Sequence, residues 1–227
     1  MCRELTDADT QRLRQIEFRR VVAHGTTIIG EGDPSTQFAT IVSGVVKLTK
    51  RLGDGRQQIV AFLFPSDFVG RPFAACCPYS AEAIGEVTLY CYRRDAFEAL
   101  LRGAPSVEHN LFSLVLSELD AAQDWMLLLG RKTARERVAS LLLLFARRVP
   151  DAASQALATA AENLHFELPL SRAEMADCLG LRVETVSRQL AALAASGAIG
   201  LEGRHRIRVP RLDVLRAAAE SERTGGA

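Results

Sequence analysis

Residues Ser171–Leu193 read SRAEMADCLGLRVETVSRQLAAL, two short helical segments parted at Cys178-Leu179-Gly180-Leu181. Gly180 can take the positive φ of a sharp helix-to-helix turn. Ser171 with Glu174 three residues later is a capping box that marks the first start, and Met175, Ala176 and Leu179 supply an apolar inner face. From about Val183 the second segment buries Val186, Leu190 and Leu193 at helical spacing, which leaves Glu184, Thr185, Ser187, Arg188 and Gln189 largely outward. Such side chains match base edges: an arginine forks onto guanine O6 and N7, a carboxylate accepts from cytosine N4, and a threonine methyl meets the thymine methyl. Glu184 and Arg188 lie four apart, on one face near the helix N-terminus, the end that enters the major groove in helix-turn-helix proteins. The same two residues would also serve as a solvated i,i+4 ion pair on an ordinary surface helix.

The run Val183-Glu184-Thr185-Val186-Ser187-Arg188, preceded by Ala176-Asp177-Cys178-Leu179-Gly180-Leu181, closely resembles the recognition motif of the CRP/FNR superfamily of bacterial transcription regulators. Its form is the E-x-x-S-R of the FNR branch; the CRP branch has Arg before the Glu and Gly in place of the Ser. The stretch WMLLLGRKTARERVASLL, residues 125–142, resembles the FnrL-like and FixK-like members of that branch. The resemblance implies that Glu184, Ser187 and Arg188 read half-sites similar to TTGAT in a two-fold symmetric operator on double-stranded DNA. It also implies an α+β chain in three parts: a cyclic-nucleotide-binding-like β-roll (1–104), a dimerisation helix (105–132) and a winged helix-turn-helix domain (133–227). A homodimer, activation through RNA polymerase and control of low-oxygen or respiratory genes belong to the same implication.

Length and composition agree with this. A chain of 227 residues can bury one large or two ordinary cores, and a net charge of +1 neither favours nor excludes nucleic acid. Local charge is more telling: Leu201 begins LEGRHRIRVPR, with Arg204, Arg206, Arg208 and Arg211 against only Glu202. No apolar run approaches a membrane span and the N-terminus is too charged for a signal peptide, so a soluble, cytoplasmic protein is expected. Five cysteines without CxxC spacing argue against a secreted disulfide framework. His24, His109, His165 and His205 are scattered, and no nucleophile-base set, metal-ligand spacing or phosphate loop points to an enzyme.

Along the chain, residues 5–19 begin with a helix capped by Thr6 or Asp7, with Leu13 and Ile16 as its apolar stripe. From about Val21 to Arg94, short β-like runs alternate with Gly, Asp and Pro, the texture of an all-β roll or barrel, with Gly53-Asp54-Gly55 the clearest hairpin tip. Gly30-Glu31-Gly32-Asp33, the turn at Ser43-Gly44 and Asp67-Phe68-Val69-Gly70 fall where the superfamily places its glycines and turns. The nucleotide cassette does not survive: Arg71 and Tyr79-Ser80 stand where the resemblance expects a ribose-holding glutamate and a phosphate-holding Arg-Ser pair, so cyclic AMP is not expected to bind.

The FNR branch holds an iron-sulfur cluster on four cysteines. Here Cys2 and Cys91 are the candidates, and two thiolates do not make a four-ligand site; packing on a strand is the simpler use of Cys91. Met1-Cys2 begins abruptly within the family's cysteine region, so a longer native N-terminus would bring back the alternative of an oxygen-sensing iron-sulfur protein. The expectation for the sequence as it stands is no cofactor and no metal. Cys76-Cys77 is assigned no role, and Cys178, close to Arg182, is a candidate redox thiol with a lowered pKa, or else a packed one.

From Pro105 to about Leu129, Phe112, Val115, Leu119, Ala122, Met126 and Leu129 recur at spacings of three and four, a seam suited to a parallel two-helix coiled coil. FNR proteins that switch between monomer and dimer carry an aspartate at a place matching Ala122, where facing carboxylates repel. Thr133 and Glu136 form a second capping box, opening a helix with Val138, Leu141, Leu142, Leu144 and Phe145 as its apolar surface. Residues 150–164 read as a loop, His165–Pro169 as a short strand, and Gly197–Gly203 with Arg206–Val209 as a two-stranded wing tipped by Arg204 and His205. Ser171, Arg172, Arg182, Thr185 and Arg204 are candidate phosphate contacts, which fix register without carrying sequence information; a solvated surface arginine is the alternative for each cation. The tail after Arg223 is small and polar.

Overall fold

A computed structural model describes residues 6–149, 162–203 and 205–220. The chain divides into two compact units, Met1–Gln123 and Asp124–Ala227.

The first unit opens with α1 (Asp7–Ile16), capped by Thr6, whose hydroxyl accepts from Asp9 N. Six strands follow, β1 (Glu17–Val22), β2 (Thr27–Ile29), β3 (Gln37–Arg51), β4 (Gln57–Leu63), β5 (Phe68–Val69) and β6 (Ser80–Arg93), paired antiparallel in the order β1-β6-β3-β4 with β2 on β6 and β5 on β3. Their inner face gathers Ile41, Val46, Leu63, Val69, Val87, Leu89 and Cys91 into one apolar core. At the sheet's end, Phe38, Tyr92 and Phe97 pack with Leu13, Leu101 and Val107, and the Phe68 and Phe97 rings stack at 5.3 Å. The hairpin at Gly53-Asp54-Gly55 is present, with Asp54 Oδ1 accepting from Arg56 N at 3.0 Å.

Ser43-Gly44 is not a turn. β3 runs through it, and the register shifts there against β6, which makes it a β-bulge. Gly44 holds φ 88°, and a Cβ there would stand 2.4 Å from Glu86 O, so the close approach of the bulge to β6 requires glycine. After β6 comes α2 (Arg94–Gly103), which the sequence pattern did not mark, and then the long α3 (Pro105–Arg131).

The second unit takes in the end of α3 and α4 (Ala134–Arg148), started by the Thr133–Glu136 capping box. Val138, Leu141, Leu142 and Phe145 are fully buried, and α4 packs against the helices that follow. These are α5 (Arg172–Leu179), α6 (Val183–Ala195) and α7 (Leu212–Ala219), the last also unmarked by sequence. The expected two-stranded wing is a three-stranded sheet: β8 (Gly200–Glu202) and β9 (Arg206–Arg211) are joined by β7 (Glu162–Glu167), in the order β7-β9-β8. β7 therefore starts before the strand expected at His165, while most of the loop expected over 150–164 lies outside the described residues. So do Cys2, Arg204 and the tail after Arg223. Among the described residues no helix is long and apolar enough to cross a membrane.

Candidate nucleic-acid interface

Both halves of the Ser171–Glu174 capping box form, which gives α5 a defined start, and Met175, Ala176, Cys178 and Leu179 face inward. Gly180 closes the helix in the left-handed region at φ 61°, ψ 39°. The chain leaves through Arg182 in an extended conformation and re-enters helix at Val183, so a three-residue turn redirects it. On α6, Val186, Leu190 and Leu193 are buried while Glu184, Ser187 and Arg188 are exposed and Thr185 and Gln189 half-buried. No salt bridge joins Glu184 to Arg188 among the described residues. The surface ion pair therefore does not form, and both side chains keep their hydrogen-bonding capacity for something outside the chain. Arg182 makes no side-chain cap to α6.

The candidate phosphate contacts fare unequally. Arg182 is exposed. Arg172 is half-buried; its Nη1 lies 3.5 Å from Met175 Sδ, and burial lowers its pKa. Ser171 is already engaged, its hydroxyl accepting from Glu174 N at 3.1 Å and donating to Glu174 Oε2 at 2.9 Å, so it is first a helix cap. In the wing, Glu202 draws the basic run together: Arg208 Nε lies 3.6 Å and Arg206 Nε 3.8 Å from its carboxylate, with His165 Nδ1 at 3.3 Å. The excess positive charge seen in sequence is partly spent on this one acid.

Cys178 departs from expectation. Its thiol is fully buried on α5 and donates to Met175 O at 3.3 Å. Desolvation, helped by Asp177 and Glu174, pushes its pKa up, the opposite of the activation that nearness to Arg182 suggested. The packed thiol is what the structure supports.

In the β unit a cavity of about 310 Å³ is lined by Leu48, Leu63, Phe68, Leu111 and Leu114, with Arg71, Tyr79, Asp67 and Glu118 as its polar members. Arg71 and Tyr79 thus do occupy the pocket wall. Burial pushes the Tyr79 phenol up to about 12, and its hydroxyl lies 3.3 Å from Gly70 N. Ser80 Oγ accepts from Glu31 N at 3.0 Å. A cyclic phosphate would meet one guanidinium and two carboxylates in a mostly apolar wall, so these residues do not fit a cyclic nucleotide. For a cluster, Cys91 is buried in the sheet core with its pKa raised by burial, and among the described residues no group of three or more His, Cys, Asp or Glu can hold a metal ion.

On α3, Val107, Leu111 and Leu114 turn toward the first unit's core. The adjoining face carries Phe112 (57% exposed), Val115 (56%, also on the cavity wall), Leu119 (52%) and Met126 (65%), with Ala122 also exposed and Leu129 half-buried. Leu116 and Leu127 widen the stripe beyond the six positions the spacing picked out.

Known proteins share this architecture. Residues 19–103 match the cyclic nucleotide-binding domain family and residues 136–218 the Crp-like helix-turn-helix domain family. The chain is 43% identical over 226 residues to the transcriptional activator protein FnrL of Cereibacter sphaeroides, covering 100% of this chain and 90% of that one. It is 36% identical over 201 residues to the nitrogen fixation regulation protein FixK of Bradyrhizobium diazoefficiens, covering 88% and 82%. The solved structure of FixK2 from Bradyrhizobium japonicum superposes with a TM-score of 0.79 at 33% identity, covering 93% of this chain and 100% of that one.

Proposed function

This chain belongs to the CRP/FNR family of DNA-binding transcription regulators, which are not enzymes, and from that premise we propose a homodimeric activator that reads palindromic operators with TTGAT-like half-sites. The observation that carries the proposal is the division of α6: three apolar side chains fully inside, and Glu184, Ser187 and Arg188 together on the open side with no partner taken among themselves. Arg188 is assigned to a guanine edge, Glu184 to a cytosine N4 and Ser187 to a neighbouring base; Arg172, Arg182, Thr185 and Arg204 are assigned to phosphates. Ser171 contributes through its cap.

The exposed stripe on α3, Phe112 through Leu129, is proposed as the dimer seam, with residues 105–132 acting as a dimerisation element between a sensor-like β domain (1–104) and the DNA-binding domain (133–227). Two copies joined there would set recognition helices about one turn of duplex apart, which is why a palindrome is expected. Activation rests on the name of FnrL, a transcriptional activator, and action through RNA polymerase on low-oxygen or respiratory genes rests on the FNR-branch resemblance of the recognition motif. Fluorescence anisotropy tests the proposal: in moderate salt a palindromic duplex should bind roughly a thousandfold tighter than a scrambled one. Equal affinities with the fold intact would refute it.

A further inference from the structure

The α4 side chain of Arg137 does something that base reading, phosphate contact and dimer packing leave unexplained. Its guanidinium donates to three backbone carbonyls at once: Nη2 to Leu129 O at 2.6 Å, Nε to Lys132 O at 2.9 Å and Nη1 to Leu179 O at 3.0 Å. Leu129 lies in the last turn of α3, where carbonyls lack intrahelical donors, and Lys132 is in the link to α4. Leu179 ends α5; the N–H groups of Gly180 and Leu181 both go to Ala176 O, which leaves the terminal carbonyl to the guanidinium. One cation thus caps the negative ends of two helices, and the planar fork with separated donors suits it to three acceptors in fixed directions.

The two helix ends so joined are significant in themselves. The last turn of α3 carries the carboxyl-terminal part of the exposed stripe, with Met126 and Leu129, and the end of α5 is the turn that launches α6. Neighbouring bonds hold the same corner: Arg135 Nη2 donates to Ser196 Oγ at 3.0 Å beyond the far end of α6, and Lys132 Nζ to Ser140 Oγ at 2.8 Å. Only Arg137 reaches both the α3 end and the α5 end among these three.

We infer that Arg137 is a positioning residue for operator recognition: by bonding the ends of α3 and α5 together, it sets where α6 stands relative to the end of the proposed dimer helix. It thereby sets which half-site spacing the dimer accepts. This rests on the dimeric, palindrome-reading function proposed above. Arg137 itself touches no base in this role.

The test uses full-length wild type, Arg137→Gln and Arg137→Lys, titrated against a palindromic duplex, the same duplex with its half-sites moved one base pair apart or together, and a scrambled duplex. Circular dichroism and sedimentation check fold and dimer. Both variants are expected to bind the scrambled duplex as wild type does, to lose roughly tenfold or more on the preferred palindrome, and to discriminate less between spacings. Lysine keeps the charge but not the fork that reaches three carbonyls, so Arg137→Lys should lose affinity and spacing discrimination much as Arg137→Gln does. A wild type that is spacing-selective with equally selective variants overturns this inference alone. So does a uniform loss on all duplexes, or unfolding of both variants, since either marks a plain stability residue. A wild type blind to palindrome and spacing overturns the dimeric reading, and this inference with it.

Discussion

Replacing Leu119 by alanine isolates the proposed dimer seam. The side chain sits mid-stripe on α3 and is 52% exposed in the single chain, so about half its surface is left to bury against a second copy. Full burial of a leucine contributes roughly 2 to 3 kcal/mol, so the remaining half contributes about 1 to 1.5 per chain and about 2 to 3 per dimer. That corresponds to a dimer dissociation constant roughly 30- to 150-fold weaker. Sedimentation velocity over a concentration series measures it, with circular dichroism to show that the monomer keeps its fold, because Leu119 is outside the buried core. Ala122→Asp, also exposed, should weaken the dimer at neutral pH and recover as the carboxylates are protonated. A Leu119→Ala protein with an unchanged dissociation constant would refute the seam.

Arg188→Ala should cost about 1 to 3 kcal/mol on the specific site and relax preference at one base pair, whereas Arg172→Ala should weaken all duplexes alike and flatten the salt dependence; equal effects of both in a titration across salt would contradict the assignments. Asp9, on α1, has its pKa lowered chiefly by the Ser106 hydroxyl and also by Thr6. A depressed carboxylate stabilises the fold above its ordinary pKa near 4, and that contribution is lost as pH falls through the lowered value. Thermal melts should therefore show Asp9→Asn less stable than wild type at neutral pH, with the gap closing in acid; a gap independent of pH would contradict this. For the cysteines, a thiol reagent should label exposed Cys76 in the native protein and reach Cys77, Cys91 and Cys178 only on unfolding. Peroxide should consequently inactivate Cys178→Ser no more slowly than wild type, and marked protection would restore Cys178 as a redox switch.

Much of the candidate site was legible because its signals are local. The two capping boxes, the glycine between α5 and α6 and the spacing of Val186, Leu190 and Leu193 are each decided within a turn or two of chain. Features set by distant partners were not. Ser43-Gly44 looks like a turn until Glu86 and Val87 are placed beside it, when it becomes a bulge in a continuous strand. β7 joins the wing only through its pairing with β9, distant in sequence. The helices α2 and α7 are only ten and eight residues long, but their buried pairs, Phe97 with Leu101 and Leu215 with Ala219, stand four apart, so the helical period was there to be read. The sequence left Cys178 open between a redox and a packed thiol, because closeness in sequence to Arg182 says nothing of which face of α5 it occupies. Arg137 could not be found from sequence at all, since its three acceptors are backbone oxygens that any residue type would supply.

Selection of bound duplexes from a random pool tests most directly whether α6, twice over, reads an operator. The selected sequences should converge on a two-fold symmetric motif with TTGAT-like arms, and the same selection with Arg188→Ala should lose one base pair of each arm. Failure to converge, or convergence on a single unpaired arm by protein that is folded and dimeric, would contradict the proposed reading of DNA.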